Sequence, residues 1–382
     1  MRFSTINHRG PEFAALGLKV LTDVQKIFQT RQPVIIYPAS GTGAREAALA
    51  NTLSAGDQVL MYETGHFAAL WQKLAVRLGL ETEVMAHPGL EVWRHGVQAQ
   101  LIEARLKLDT AHAIKAVCVV HNETSTGVTS NIAAVRAAID ADKHPALLLV
   151  DTISGLASAD YQHDAWGVDV TISGSQKGLM LPPGISFNAV SLKAVEASRS
   201  SKIANLPKAF WAWDEIIEMN KSGYWPSTPN TNLLYALSEA CDMLLSQGLD
   251  AVRKVIYERL DCSLGTGLGK VNGMGKGKMF RVGHLGDCND LTLMAALAGC
   301  EMGLKLSGVK LAGSGPARAD QFCVCRGRVR PALQGAGGRL TRCRQALELM
   351  PKMPIAQAFI AWAAINFKDL GVVFWVCSCS RG

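Results

Sequence analysis

From residue 33 to about 191 the chain alternates short apolar runs with stretches whose apolar residues recur every three or four positions. The runs 33–37 (PVIIY), 58–62 (QVLMY), 115–121 (KAVCVVH), 146–151 (ALLLVD), 168–172 (VDVTI) and 186–191 (SFNAVS) read as strands. Segments near 43–54, 66–78, 97–107 and 131–141 read as helices between them. Several of the strands are apolar throughout, the pattern of a sheet covered by helices on both faces. Strand–helix–strand order with such strands predicts an α/β fold with a mostly parallel, doubly wound sheet. In that architecture ligands bind at the carboxyl ends of the strands. The polar and small residues of interest fall there: Ser40 to Gly43 after the first run, His121 to Gly127 after the third, Asp151 ending the fourth and Lys177 after the fifth.

Beyond this region a helical stretch at 231–258 leads to a glycine-rich piece, 263–275, and then to Met279-Phe280-Arg281-Val282. The expected organisation is a large domain over 1–239, a smaller α+β domain over 240–315, and a tail over 316–382 of different composition. No internal repeat is visible. The net charge of +7 comes wholly from the tail, which holds ten Lys and Arg against three Asp and Glu. The body is therefore neutral, and no nucleic-acid partner is expected. Five of the ten cysteines also lie in the tail, and the others are isolated among apolar or helical residues. That usage suits reduced thiols in the cytoplasm. The Cys-x-Cys pairs lack the spacing of a zinc knuckle, so no metal is expected. There is no signal-peptide core at the amino terminus, and the apolar stretch 354–378 is broken by Lys368-Asp369, so no membrane association is expected.

Lys177, in Ser173-Gly174-Ser175-Gln176-Lys177-Gly178, and Asp151 at a strand end are the pair a pyridoxal phosphate site needs. The lysine forms a Schiff base, and the carboxylate keeps the pyridine nitrogen protonated so that the ring can act as an electron sink. Taken alone, Lys177 reads as well as an exposed surface lysine. Ser40-Gly41-Thr42-Gly43 opens a helix and could hold a phosphate on its N–H groups, or be a plain glycine-containing helix start. It is not the dinucleotide fingerprint, since the third glycine is missing and position 46 is Glu. His121-Asn122-Glu123-Thr124-Ser125-Thr126-Gly127 could hold ring substituents of a cofactor or simply form a polar turn. Phe67 could stack on a flat cofactor or sit in the core. Arg281 could grip a carboxylate through two parallel bonds or lie on the surface. The run from Gly265 to Lys270 lacks the spacing of a P-loop.

Read together, these stretches resemble the class V branch of fold-type I pyridoxal phosphate aminotransferases, and within it the serine–glyoxylate and alanine–glyoxylate group. The resemblance rests on INHRGPEF (6–13), SGTGAREAAL (40–49), HNETSTGV (121–128), HPALLLVDTISGLAS (144–158), WGVDVTISGSQKGLMLPPG (166–184), TPNTNLLYAL (228–237) and FRVGHLGDCNDLTLMAAL (280–297). It implies that Lys177 is the Schiff-base lysine and Asp151 the partner of the pyridine nitrogen. Ser40, Gly41, Thr42 and Gln176 would form the phosphate cup. Phe67 would stack on one face of the cofactor, Ile153 would pack on the other, and Ser125 would contact the ring. Arg281 would hold the substrate α-carboxylate. Thr228, with Trp225 or Tyr224, would reach the phosphate of a neighbouring subunit, which implies a homodimer.

The implied reaction transfers the amino group of serine to glyoxylate, giving hydroxypyruvate and glycine. Alanine as donor, or another class V reaction, is the alternative within enzymes. A desulfurase would need a mobile cysteine, and neither Cys262 nor Cys288 stands in such a context. A further alternative is a family member that binds pyridoxal phosphate with impaired turnover, because three features depart from the pattern. The arm that the family places before Ile6 is missing. A few dozen residues are absent where Val252 meets Arg253, which shortens the small domain. Residues 316–382 resemble no part of the family and are expected to come from a shifted frame or a lost stop.

Overall fold

The computed structural model describes residues 5–88, 95–199 and 206–249, with Ala298 and Glu301. Apart from those two, they belong to the first of two units, Met1–Arg253 with Leu268–Gly273. Its centre is one sheet built from β1 (Val34–Tyr37), β2 (Gln58–Glu63), β3 (Glu81–Ala86), β4 (Ile114–Val120), β5 (Leu147–Asp151), β6 (Val170–Gly174) and β7 (Ser186–Val190). The strands lie in the order β1-β7-β6-β5-β4-β2-β3. Every neighbouring pair is parallel except those of β7, which runs antiparallel to both β1 and β6. This is the mostly parallel α/β sheet that the apolar runs predict.

Helices α1 (Pro11–Phe28), α2 (Gly41–Thr52), α3 (His66–Arg77), α4 (Ala99–Leu108), α5 (Ile132–Asp140), α6 (Leu192–Arg199), α7 (Trp213–Asn220) and α8 (Thr231–Gln247) complete the unit. The four middle strands, β4 to β7, are buried at nearly every residue. Their side chains therefore need apolar cover on both faces, and each buried Leu or Val contributes about 1.5–3 kcal/mol relative to exposure. Asn131 and Asn230 start α5 and α8 by accepting the N–H groups of Ala134 and Leu233. Helix α8 packs along α1 and runs across residue 239, where the sequence reading ends the large domain. No helix among the described residues is long and apolar enough to cross a membrane.

Four elements are absent from the sequence reading. Strand β3 is an edge strand bonded, among the described residues, to β2 alone, and its exposed and half-buried positions give ETEVMA no apolar run. Helices α6 and α7 have eight residues each, too few to repeat the helical period convincingly. Helix α1 does carry the period, in buried Phe13, Gly17, Val20, Val24, Ile27 and Phe28, but precedes the first strand considered.

Helix α1 meets the segment before α8 backbone to backbone. A Cβ at Gly17 would lie 2.2 Å from the Gly223 carbonyl oxygen, and one at Gly223 would lie 2.3 Å from that of Ala14. Gly223 also has φ +81°, a conformation that disfavours side chains. Gly17→Ala should therefore force these elements apart and cost about 1–3 kcal/mol, the usual scale of overpacking. A lowered urea midpoint at pH 7.5 with an unchanged slope is the expected result.

Candidate active site

Asp151 is the last residue of β5, the middle strand of the sheet, and is 2% exposed. Burying a carboxylate demands fixed donors. Its Oδ1 accepts the Ile153 N–H at 2.8 Å, which turns the chain sharply after the strand. Its Oδ2 accepts the Arg45 Nε–H at 2.7 Å and a second N–H from Arg45 Nη2. Arg45 projects from the second turn of α2 and is itself only 4% exposed. Its guanidinium carbon lies 5.8 Å from the ring centre of Phe67 and 5.7 Å from that of Trp71, within the range of cation–π attraction.

The start of α2 is held against the same segment. A Cβ on Gly41 would fall 2.2 Å from Ile153 Cδ1, so any larger residue would have to displace the Ile153 side chain. Ser40, at the N-cap position, makes no side-chain capping bond, and both Ser40 and Thr42 are exposed. The helix thus starts without a side-chain cap from Ser40, at the positive end of its twelve-residue dipole, an arrangement that suits a phosphate. Gln176 stands beside it: a Cβ on Gly174 would be 3.0 Å from Gln176 Oε1 and 3.7 Å from the Gly41 nitrogen. Gln176 Oε1 is buried without a hydrogen-bond partner among the described residues.

Lys177 is half-buried near the start of the eleven-residue connection between β6 and β7. The Met180 N–H donates to the Lys177 carbonyl at 2.9 Å, and the Leu181 N–H to that of Ser175 at 3.2 Å. The Ser175 hydroxyl donates to the Pro182 carbonyl at 2.8 Å. Gly178 follows, where a Cβ would come within 2.1 Å of the Leu156 carbonyl oxygen. The segment after β5 therefore backs the lysine turn.

Phe67 opens α3, whose first N–H groups are satisfied from the loop after β4. The fully buried Glu123 carboxylate accepts the N–H groups of Phe67 at 3.3 Å and Ala68 at 3.1 Å. Ser125 donates its hydroxyl to Glu123 Oε1 at 2.7 Å, and its oxygen accepts the His66 N–H at 2.8 Å. Ser125 thus works from within the wall, fixing the helix that carries Phe67. A Cβ on Gly65 would lie 2.4 Å from the Ser125 hydroxyl, which explains the glycine there. His121 is buried beside Tyr161 and Trp166, with Nδ1 3.1 Å from the Thr152 hydroxyl. Burial pushes it down to about 4, so it is neutral at physiological pH.

The structure thus gathers Ser40, Gly41, Thr42, Phe67, Asp151, Ile153, Gln176 and Lys177 around the carboxyl ends of the strands. Trp225 lies apart from them in the core, where its indole N–H donates to the Ile36 carbonyl at 3.2 Å and its ring meets Phe13. Tyr224 is half-buried and bonded to the Gly10 carbonyl, while Thr228 is exposed. Arg281 lies outside the described residues. Two residues at the site escaped the sequence reading of roles, Arg45 and Glu123. For Arg45 a signal existed: Gly41, Ala48 and Leu49 lie at helical spacing around it, which places a charged residue on a buried face.

The class V aminotransferase profile matches residues 3–273. Serine–glyoxylate aminotransferase of Methylorubrum extorquens is 40% identical over 374 residues, covering 84% of this chain and 91% of that protein. The serine–glyoxylate aminotransferase of Arabidopsis thaliana is 38% identical over 367 residues, covering 83% and 89%. Among solved structures, alanine–glyoxylate aminotransferase from Nostoc sp. superposes with a TM-score of 0.62 at 28% identity, covering 68% of this chain and 67% of that one. The chain belongs to the class V aminotransferase family.

Two buried histidines set an acid limit on the fold. His121 and His163 are both pushed by burial to about 4, below the ordinary 6.5. Between those values the unfolded chain binds protons that the folded chain refuses, so stability falls as pH drops from about 6.5 to 4. By linkage each histidine should cost about 2 kcal/mol at pH 5 relative to pH 7.5. The urea midpoint should fall accordingly, and His163→Asn should make the fall shallower.

Proposed function

We propose that the protein is a pyridoxal phosphate-dependent transaminase that moves the amino group of serine to glyoxylate, giving hydroxypyruvate and glycine. The observation that carries this reading is Asp151 ending the central strand, with Lys177 on the turn after the neighbouring strand. It is joined by identity of about 40% to serine–glyoxylate aminotransferases over most of their length. The donor set fits the cofactor. An uncapped helix start suits its phosphate, to which the Gln176 side-chain NH2 could donate, while Asp151 suits its pyridine nitrogen, and Phe67 and Ile153 the two faces of its ring.

Bound there, pyridoxal phosphate would supply the electron sink that lets an amino acid lose its Cα proton. The residues of the chain do the rest. Lys177 Nζ would take the proton from the substrate Cα and return it at the cofactor carbon that receives the amino group. Asp151 would hold the proton on the pyridine nitrogen. The first turn of α2 would anchor the phosphate through N–H groups and the helix dipole. Glu123 and Ser125 would keep Phe67 in place by fixing the start of α3. Arg281 is the residue assigned to the substrate α-carboxylate. Exposed Thr228 is assigned to the phosphate of a second subunit, which makes a homodimer part of the proposal. Buried, unpaired thiols such as Cys118 and Cys241 suit a reducing compartment, so a cytoplasmic location is proposed with it.

Alanine is the second candidate donor, favoured by the likeness to the Nostoc enzyme. Full-length protein incubated with pyridoxal phosphate, glyoxylate and either serine or alanine distinguishes them through hydroxypyruvate or pyruvate. Hydroxypyruvate from serine is the expected product. Lys177→Ala should lower the rate by roughly 10²–10⁴-fold, the usual worth of a positioned base, and abolish the visible cofactor band. A wild-type protein with neither band nor keto acid product would refute the reading.

A further inference from the structure

Arg45 takes a position toward Asp151 that the proposed chemistry does not use. An ionised carboxylate offers about four acceptor positions. Three are filled from within the chain: Oδ1 by Ile153, and Oδ2 twice by Arg45. Arg45 is always charged, lies buried, and is fixed between the rings of Phe67 and Trp71. Among the described residues it has no second carboxylate as a hydrogen-bonded partner. The group that would hold the pyridine nitrogen is therefore already charge-balanced by a side chain of the same subunit.

We propose that Arg45 is a positioning residue that competes with the protonated pyridine ring for Asp151, so that it stabilises the cofactor-free fold and loosens the grip on the cofactor. The inference rests on the pyridoxal phosphate reading of this site. Its physical basis is sharing. One negative charge faces two cations, and like charges brought to the same carboxylate repel. Without cofactor, Arg45 is what makes a buried Asp151 tolerable, since a buried charge stripped of its partner is strongly destabilising. With cofactor, the ring nitrogen gains only what Arg45 leaves, one acceptor position and a carboxylate of diminished field. The coupling is reciprocal: whatever Arg45 takes from cofactor binding, the cofactor takes from the Arg45–Asp151 pair.

The signature is a pair of changes of opposite sign, which a merely structural arginine would not produce. Full-length Arg45→Leu should melt at lower temperature than wild type when cofactor-free. Its dissociation constant for pyridoxal phosphate, followed by the visible band, should nevertheless fall about tenfold, within the usual span of site-to-site coupling. Its gain in melting temperature on cofactor loading should exceed that of wild type. Arg45→Gln, which keeps an N–H donor without the charge, is the milder replacement and should shift both readouts in the same directions. Arg45→Lys should restore much of the wild-type behaviour by restoring the charge.

Two results overturn the proposal. If wild type shows a Lys177-dependent band but Arg45→Leu and Arg45→Gln bind cofactor no more tightly, Arg45 is a packing residue and only this inference falls. If wild type binds no pyridoxal phosphate, the reading of the site and this inference fall together.

Discussion

A carboxylate buried at the end of the middle strand governs the local architecture. Asp151 sits where solvent cannot compensate its charge, so its donors must be built into the fold. They come from two places, the chain reversal after β5 and one face of α2. Gly41 and Arg45 lie one helical turn apart on that face. The glycine lets the helix start press on Ile153, and the arginine reaches the carboxylate two residues earlier. The demand of one buried charge thus fixes how a helix start, a strand end and two aromatic rings stand relative to one another.

The site holds a second buried carboxylate that is handled differently. Glu123 receives N–H groups of α3 and the hydroxyl of Ser125. Its counter-charge is therefore only the partial positive charge of a helix start. Asp151 instead has a full cation against it. The two walls of the site consequently differ in character. The Glu123 wall is locked by many weak, directional bonds to backbone, while the Asp151 wall depends on a single strong pairing.

Much of this was legible in the residues. Strands buried on both faces announce themselves as apolar runs, and six of the seven were placed within a few residues of their positions. The motif residues at strand ends follow directly once those strands are ordered. β3 was hidden because an edge strand with charged side chains shows no such run. The core position of Trp225 was hidden for another reason: it depends on a hydrogen bond to Ile36, far away in sequence. The work of Glu123 likewise depends on α3, more than fifty residues earlier. Long-range pairings of polar groups leave no local periodicity, whereas burial of apolar ones does.

The reversal of direction at β7 has a mechanical consequence for Lys177. Because β6 and β7 are antiparallel neighbours, the lysine rides on a closed hairpin clamped at its base, where the Ser175 N–H meets the Ile185 carbonyl. Backbone displacement there would tear the seam between two fully buried strands. Travel of the amine is then chiefly rotation about the bonds of its own four-carbon stem. The Lys177 side chain is a short crane arm on a mast braced at its foot, and its reach is set chiefly by side-chain torsions.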